Sequence, residues 1–184
     1  MAGDGNEISG MSGNNSFVYT NTIGGVDISA QYTKNGSQAD GGGSTTDSSV
    51  GASYAVGDTG LTIGHARGED GASVDEDVTY VTYVIGGATL GVSKFDREVS
   101  ASTADRDTTW YGASFAVNEN LSVSAGKSVT NFGNKTVDQE SSGFAASYTM
   151  GSITVATSMN KQEGVSGVAG TEDDHKEVAV TFAF

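Results

Sequence analysis

Residues 107–125 read DTTWYGASFAVNENLSVSA, two alternating segments separated by a polar turn. After the turn, apolar residues alternate with serine over residues 121–125. A period of two is typical of a β-strand, and Asn tolerates the positive φ angles that tight turns require. The stretch therefore predicts a β-hairpin.

Similar stretches recur along the chain. The copies begin at residues 14, 47, 77, 107 and 140, in steps of 33, 30, 30 and 33 residues, and a half copy occupies residues 176–184. Such a repeat predicts eleven strands, with short turns on one side and long acidic loops on the other. The loops are expected at residues 35–46, 68–76, 96–106, 129–139 and 162–175. Residues 78–85 are apolar on both faces, a pattern compatible with a β-bulge.

Composition excludes several classes of protein. The 184 residues include 27 Gly, no Pro and no Cys, and 9 basic against 23 acidic side chains leave a net charge of −14. This charge disfavours a nucleic-acid partner, and the lack of Cys excludes disulfides, Cys-ligated metals and thiol catalysis. No apolar run approaches the ~18 residues of a membrane helix. We expect a single β-barrel domain over residues 1–184, with an irregular N-terminal segment at 1–13.

The two faces of the predicted strands differ in chemistry. One face carries Val, Ile, Leu, Tyr and Phe, whereas the other carries mainly Gly, Ala, Ser and Thr. A soluble sandwich or barrel needs large residues on its inner face, and small polar residues cannot fill such a core. Short turns, long loops and strands of about 10 residues with a period of two are typical of outer-membrane barrels. The pattern predicts an all-β, antiparallel transmembrane β-barrel, or part of one, with 11–12 strands.

The same alternation predicts which residues line the pore. Small polar or charged side chains of the second face would line it: Asp27, Gln31, Thr62, Ser122, Ser124, Thr154, Glu177 and Thr181. The charges of Asp27 and Glu177, together with the acidic loops, favour a weak preference for cations.

Five of the nine basic side chains share one position in the repeat. Each lies outward at the loop end of a second strand: Lys34, Arg67, Lys94, Lys127 and Lys161. Their stems can follow the apolar band while their charges reach lipid headgroups, which are lipopolysaccharide phosphates in a Gram-negative outer membrane. We therefore predict contact with lipopolysaccharide. The alternative is ordinary snorkelling at a strand end without a specific lipid.

Two motifs resemble Gram-negative general porins. Residues 15–20, 23–26 and 30–32 are similar to a hairpin that follows the constriction loop of these sixteen-stranded barrels, after which eleven strands remain. Val178, Val180, Phe182 and Phe184 alternate up to an aromatic residue and resemble the segment that the barrel-assembly machinery recognises. The resemblance implies an outer-membrane location and is compatible with a homotrimer.

The chain also departs from this family. The first five strands, the constriction loop and a ladder of Arg residues facing acidic groups across the lumen have no counterpart in it. An odd number of strands cannot close a barrel by antiparallel pairing alone. One alternative is a twelfth strand at residues 7–12; the other, which we favour, is the C-terminal part of a longer porin.

Together these features predict passive diffusion of small hydrophilic solutes through a water-filled β-barrel. His65 and His175 lack metal-ligand spacing, the serines lack a nucleophile-elbow motif, and the acidic clusters lack a calcium loop. No enzymatic activity, metal or cofactor is therefore expected. The alternatives are a structural or adhesive outer-membrane barrel without an open pore and a secreted acidic β-protein.

Overall fold

The computed structural model describes residues 16–36, 45–70, 74–100 and 105–183. Eleven strands occupy these ranges: β1 (Ser16–Ile23), β2 (Val26–Gly36), β3 (Thr45–Ala55), β4 (Leu61–Asp70), β5 (Val74–Ile85), β6 (Ala88–Val99), β7 (Arg106–Ala116), β8 (Leu121–Phe132), β9 (Gln139–Met150), β10 (Ile153–Glu163) and β11 (Glu172–Phe182). They form one sheet whose strand order follows the chain order. The predicted eleven-stranded, all-β architecture is therefore confirmed, whereas the N-terminal segment 1–13 and the alternative strand at 7–12 lie outside the described residues.

The strands pair antiparallel, and their register is regular over nearly the whole described sheet. It shifts once, between Thr33 and Gly36, where β2 pairs with β3. The bulge expected within residues 78–85 is absent, because β5 pairs residue by residue with both neighbours. Within this segment the inward side chain of Val78 is buried, so an apolar residue at this inward position needs no bulge.

Glycine-containing turns connect the strands on one side of the sheet. Gly24-Gly25, Gly86-Gly87 and Gly151-Ser152 are two-residue connections. Gly24 and Gly25 have φ angles of 60° and 83°, in the left-handed region that two-residue hairpins require. Glycine at these turns therefore follows from the short connection.

On the opposite side, the strands extend further than the sequence predicts. β8 continues to Phe132 and β9 begins at Gln139, so the loop expected at 129–139 shrinks to residues 133–138. Polar side chains hold the extended part of β8: the hydroxyl oxygens of Thr130 and of Thr108 on β7 lie 3.0 Å apart. The strands thus continue beyond the apolar band, into sequence that lacks apolar alternation.

Burial separates the two faces of the sheet. The buried side chains of the described residues all lie on the face predicted to be inward: Thr33, Asp47, Val74, Glu76, Val78, Ser93, Phe95 and Thr108. The other face exposes large apolar side chains, such as Val50 (56%) and Met159 (48%). A concave surface brings side chains together and a convex surface spreads them apart. The inward face is therefore the concave face of a partial barrel.

The most densely packed part of the inward face lies on β5, β6 and β7. Phe95 is 4% exposed and meets Trp110 edge to face, with ring centroids 6.3 Å apart. The Arg106 guanidinium carbon lies 5.9 Å from the Phe95 ring centroid, and Arg97 Nε lies 3.5 Å from Glu76 Oε1. We call these five residues the inner cluster. It is a packed region on a face that is lined mainly by small or polar residues elsewhere.

Arginine substitutions are expected to distinguish the two faces. Val123→Arg, on the outward face within the apolar band, should lower the free energy of unfolding by about 2–4 kcal/mol, because lipid near the bilayer midplane does not solvate the charge. Ile153→Arg, also outward, should lower it less, because Ile153 directly follows the turn at the edge of the band. Ser124→Arg and Thr154→Arg, the next residues on the same strands, should fold without this loss. Urea unfolding in lipid vesicles measures the difference, and equal losses on both faces would contradict the assignment of inward and outward positions.

The inner cluster is expected to contribute strongly to stability. Phe95→Ala should lower the free energy of unfolding by about 3 kcal/mol, because it leaves a cavity where a buried ring was packed. Phe144→Ala is the matched control, since Phe144 is 43% exposed on the outward face and should cost less. If both variants lose the same stability, the cluster is not a packed core.

Candidate functional site

The cross-strand register places the predicted pore-lining residues on one face. Residues directly opposite each other in an antiparallel pair point to the same side of the sheet, and this relation connects the inward positions from β1 to β11. The inward positions include Asp27, Gln31, Thr62, Ser122, Ser124, Thr154, Glu177 and Thr181. The structure therefore brings these residues together on the concave face.

Hydroxyl groups on this face form short cross-strand contacts. Thr22 Oγ1 donates to Asp27 Oδ1 at 2.6 Å, and the hydroxyl oxygens of Thr149 and Thr154 lie 3.0 Å apart. Each hydroxyl keeps further capacity to donate or accept. The wall can therefore hydrogen-bond to water or to a polar solute.

A depression of about 590 Å³ opens where the inward face passes from β1 to β5. Its polar lining includes Thr20, Thr22, Asp27, Ser29, Ser53 and Tyr80. A Cβ atom added to Gly64 would overlap the Tyr80 ring, so the ring lies directly against the Gly64 backbone. Glycine thus allows an aromatic side chain to lie close to the wall without closing the depression.

Two inward arginines are missing from the sequence-based prediction. Arg97 and Arg106 face each other across β6 and β7, and Arg97 also faces Glu76 on β5. The sequence assigns both residues to the ends of the expected loop at 96–106, so neither belongs to the predicted inward strand positions. Continuing the inward series from Ser93 in steps of two residues would have identified Arg97.

Four of the predicted rim residues lie on the outward face at the loop ends of their strands, where they alternate with carboxylates: Arg67, Lys94, Lys127 and Lys161. Ion pairs join them on the outward face: Arg67 with Asp75 at 3.7 Å, Lys94 with Asp96 at 2.5 Å, Lys127 with Glu140 at 2.7 Å, and Lys161 with Glu163 at 2.5 Å. For Lys34, the structure describes the backbone alone. The loop end of the outward face is therefore a belt of mixed charge, because the acidic residues assigned to loops continue the strands.

The segment predicted to guide assembly lies on β11. Val178, Val180 and Phe182 point outward and are 72%, 52% and 56% exposed. Phe184 lies outside the described residues. In the described sheet, β11 pairs with β10 and β1 pairs with β2, which leaves one side of each of these strands open.

The histidines contact neighbouring polar groups. His65 Nδ1 lies 2.9 Å from Thr79 Oγ1 and His65 Nε2 lies 3.3 Å from Asp77 Oδ1, whereas His175 Nε2 lies 3.7 Å from Glu177 Oε2. In the described part of the chain, no group of three or more potential ligand residues could hold a metal ion. No helix among these residues is long and apolar enough to cross a membrane.

Solved structures, two of them of porins, share this fold over most of the chain. A porin refined at 1.8 Å resolution superposes with a TM-score of 0.69 at 16% sequence identity, covering 91% of this chain and 60% of that one. OccK10 (OpdN) of Pseudomonas aeruginosa superposes with a TM-score of 0.68 at 15% identity, covering 90% of this chain and 61% of that one. The anion-selective porin from Comamonas acidovorans superposes with a TM-score of 0.69 at 13% identity, covering 92% of this chain and 58% of that one. The chain thus spans about three fifths of the length of these proteins.

Sequence comparison assigns the family. No curated protein matches the sequence closely enough to count as a relative. A sequence model described as Gram-negative porin matches residues 1–164, which is most of the chain. The protein therefore belongs to the Gram-negative porin family and is located in the outer membrane.

Proposed function

We propose that the protein forms the wall of a water-filled channel through which small hydrophilic solutes diffuse passively. The observation that supports this most directly is the segregation of side chains, with large apolar groups exposed on the convex face and hydroxyl groups on the concave face. Lipid offers no hydrogen-bond partners, so a membrane-spanning sheet must satisfy its backbone between strands. The continuous ladder from β1 to β11 does this for the strands between its edges.

We propose a weak preference of this channel for cations. The described inward side chains include five carboxylates and two guanidinium groups, a balance of 2 − 5 = −3: Asp27, Asp47, Glu76, Asp173 and Glu177 against Arg97 and Arg106. The arginines reduce the negative charge of the wall without cancelling it. A negative wall raises the local concentration of cations.

Single-channel recording tests both proposals. The full chain in planar bilayers should give discrete conductance steps, and a KCl gradient should give a reversal potential of the cation-selective sign. Asp27→Asn combined with Glu177→Gln should reduce this selectivity, because two inward negative charges are removed.

The matched control for this experiment is Glu163→Gln combined with Asp174→Asn. Both residues point outward, Glu163 on β10 and Asp174 on the neighbouring β11. This control should leave the reversal potential unchanged. If folded protein, identified by its heat-modifiable mobility, gives no conductance, the channel proposal is wrong.

A structural or adhesive barrel without an open pore is the second candidate. The inner cluster supports it, because Phe95 and Glu76 are almost fully buried on the face that should line a lumen. A wall packed in this way at all heights would leave no path for water. Absence of conductance in folded protein would favour this candidate.

We also propose that the protein acts without enzymatic chemistry and without a cofactor. Membership of a porin family supports a role in permeation. His65 is on the outward face, opposite Thr79 on β5, away from the inward hydroxyl groups.

For assembly, we propose that Val178, Val180, Phe182 and Phe184 are recognised by the barrel-assembly machinery. The exposed outward side chains of Val178, Val180 and Phe182, on a strand that pairs on one side only within the described sheet, support this. Such a strand can pair with an added strand of a partner. We also propose a homotrimer, the assembly with which the family resemblance is compatible.

At the outer rim, we propose that Lys34, Arg67, Lys94, Lys127 and Lys161 contact lipopolysaccharide phosphates. The outward register of Arg67, Lys94, Lys127 and Lys161, and the position of all five residues at the loop ends of their strands, support this. A phosphate must compete with the carboxylates that pair with four of them. A basic side chain near an anionic membrane surface contributes about 1 kcal/mol of attraction.

Replacing these five residues with Gln is expected to remove most of the rise in melting temperature that lipopolysaccharide produces, because the cationic contacts are lost. Differential scanning calorimetry in detergent, with and without lipopolysaccharide, measures this rise. Arg106→Gln is the control, since Arg106 points inward and should leave the rise unchanged. An unchanged rise in the five-residue variant would mean that these side chains only snorkel.

A further inference from the structure

An apolar groove of about 600 Å³ crosses the outward face from β5 to β8. Its lining includes Tyr83, Leu90, Val92, Tyr111, Ala113 and Ala125. The groove lies within the band that faces lipid, and Lys127 lines its loop end.

Two alanines create the floor of this groove. Ala113 and Ala125 face each other across β7 and β8. Larger side chains flank them in the same row, with Leu90 opposite Ala113 and Phe144 opposite Ala125. Because side chains stand roughly perpendicular to a sheet, a pair of methyl groups between larger neighbours leaves a groove on the surface.

Amines lie on both sides of the loop end of the groove. Lys127 faces Tyr111 across β7 and β8. Lys94 follows Val92 by one outward step on β6 and faces Thr109, the outward residue before Tyr111 on β7. Tyr111 is 54% exposed between them, at the level where aromatic residues meet headgroups.

We propose that this groove binds one acyl chain of an outer-leaflet lipopolysaccharide, whose lipid A phosphate contacts Lys94 and Lys127. The occupant follows from the combination of an apolar floor with cations at its extracellular end, which complements an amphiphile with an anionic head. The inference rests on the proposed rim contact with lipopolysaccharide and deepens it. It assigns the phosphate to two of the five basic residues and adds a site for a chain.

The ion pairs at the groove predict a competition. Lys127 Nζ lies 2.7 Å from Glu140 Oε2, and Lys94 Nζ lies 2.5 Å from Asp96 Oδ1. A phosphate that binds these amines must share them with the carboxylates. Removing the charge of Glu140 should therefore strengthen binding, an effect that loss of a merely structural ion pair would not produce.

The test is a titration of the full chain in detergent micelles with purified lipid A, followed by native mass spectrometry. Ala113→Leu combined with Ala125→Leu should weaken binding about tenfold, because leucine fills the space of several methylenes of the chain. Ala30→Leu is the matched control, since Ala30 is outward on β2, opposite Tyr19 and Val50, and should bind like the wild type.

The headgroup contact has its own variants. Lys94→Gln combined with Lys127→Gln should weaken lipid A binding about tenfold, as expected for the loss of charge-assisted contacts. Lys176→Gln, on the outward face of β11 opposite Met159 and outside the rim set, should have little effect, and Glu140→Gln should tighten binding. The deacylated lipid A headgroup should respond to the lysine variants but not to the leucine variants.

Other outcomes would overturn the proposal. Wild-type affinity for lipid A in the leucine double variant would restrict lipid contact to the rim. A change of oligomeric state in that variant, with lipid A affinity retained, would assign the groove to a second copy of the chain. Where the double variant fails to fold, Ala125→Leu alone provides the test. Conductance is recorded in parallel and should be unchanged in all these variants, because all substituted side chains point outward. A loss of lipid A binding with conductance retained therefore leaves the channel proposal intact.

Discussion

Hydrogen bonding of the backbone between neighbouring strands is the constraint on which the structure depends. In a hydrocarbon environment each unpaired N–H or C=O group costs several kcal/mol, so the strands must pair along their length. Once the register is set, alternation assigns each side chain to lipid or to lumen. The inward hydroxyls, the outward apolar band and the basic residues at its edge all follow from this one ladder.

Within that ladder, residue size decides what each face can do. Small inward residues keep the concave wall open, whereas Phe95 and Trp110 pack against each other where the inner cluster forms. On the convex face, Ala113 and Ala125 leave a groove between larger side chains. Large side chains therefore fill the lumen on the concave face, whereas small side chains leave a groove for lipid on the convex face.

The sequence predicts strand number and facing well, because Leu121, Val123 and Ala125 alternate with serine and the pattern recurs in every repeat. It predicts strand ends poorly. Beyond the apolar band the strands continue through charged residues such as Glu163, and no apolar periodicity marks them. The inner cluster and the ion pairs depend on which residues face each other across strands. That register is set by whole hairpins and cannot be inferred from one segment alone.

Strand order in the sheet is identical to strand order in the chain, and this order affects both the folding of the wall and its change in evolution. Every ladder closes a short loop, so the entropic penalty of contact formation stays small and the contact order is low. The wall can grow one hairpin at a time, each adding to a completed edge. Gain or loss of one hairpin changes the circumference by two strands and preserves the inside–outside alternation of all others. Pore width can therefore vary in evolution without a new design for the wall.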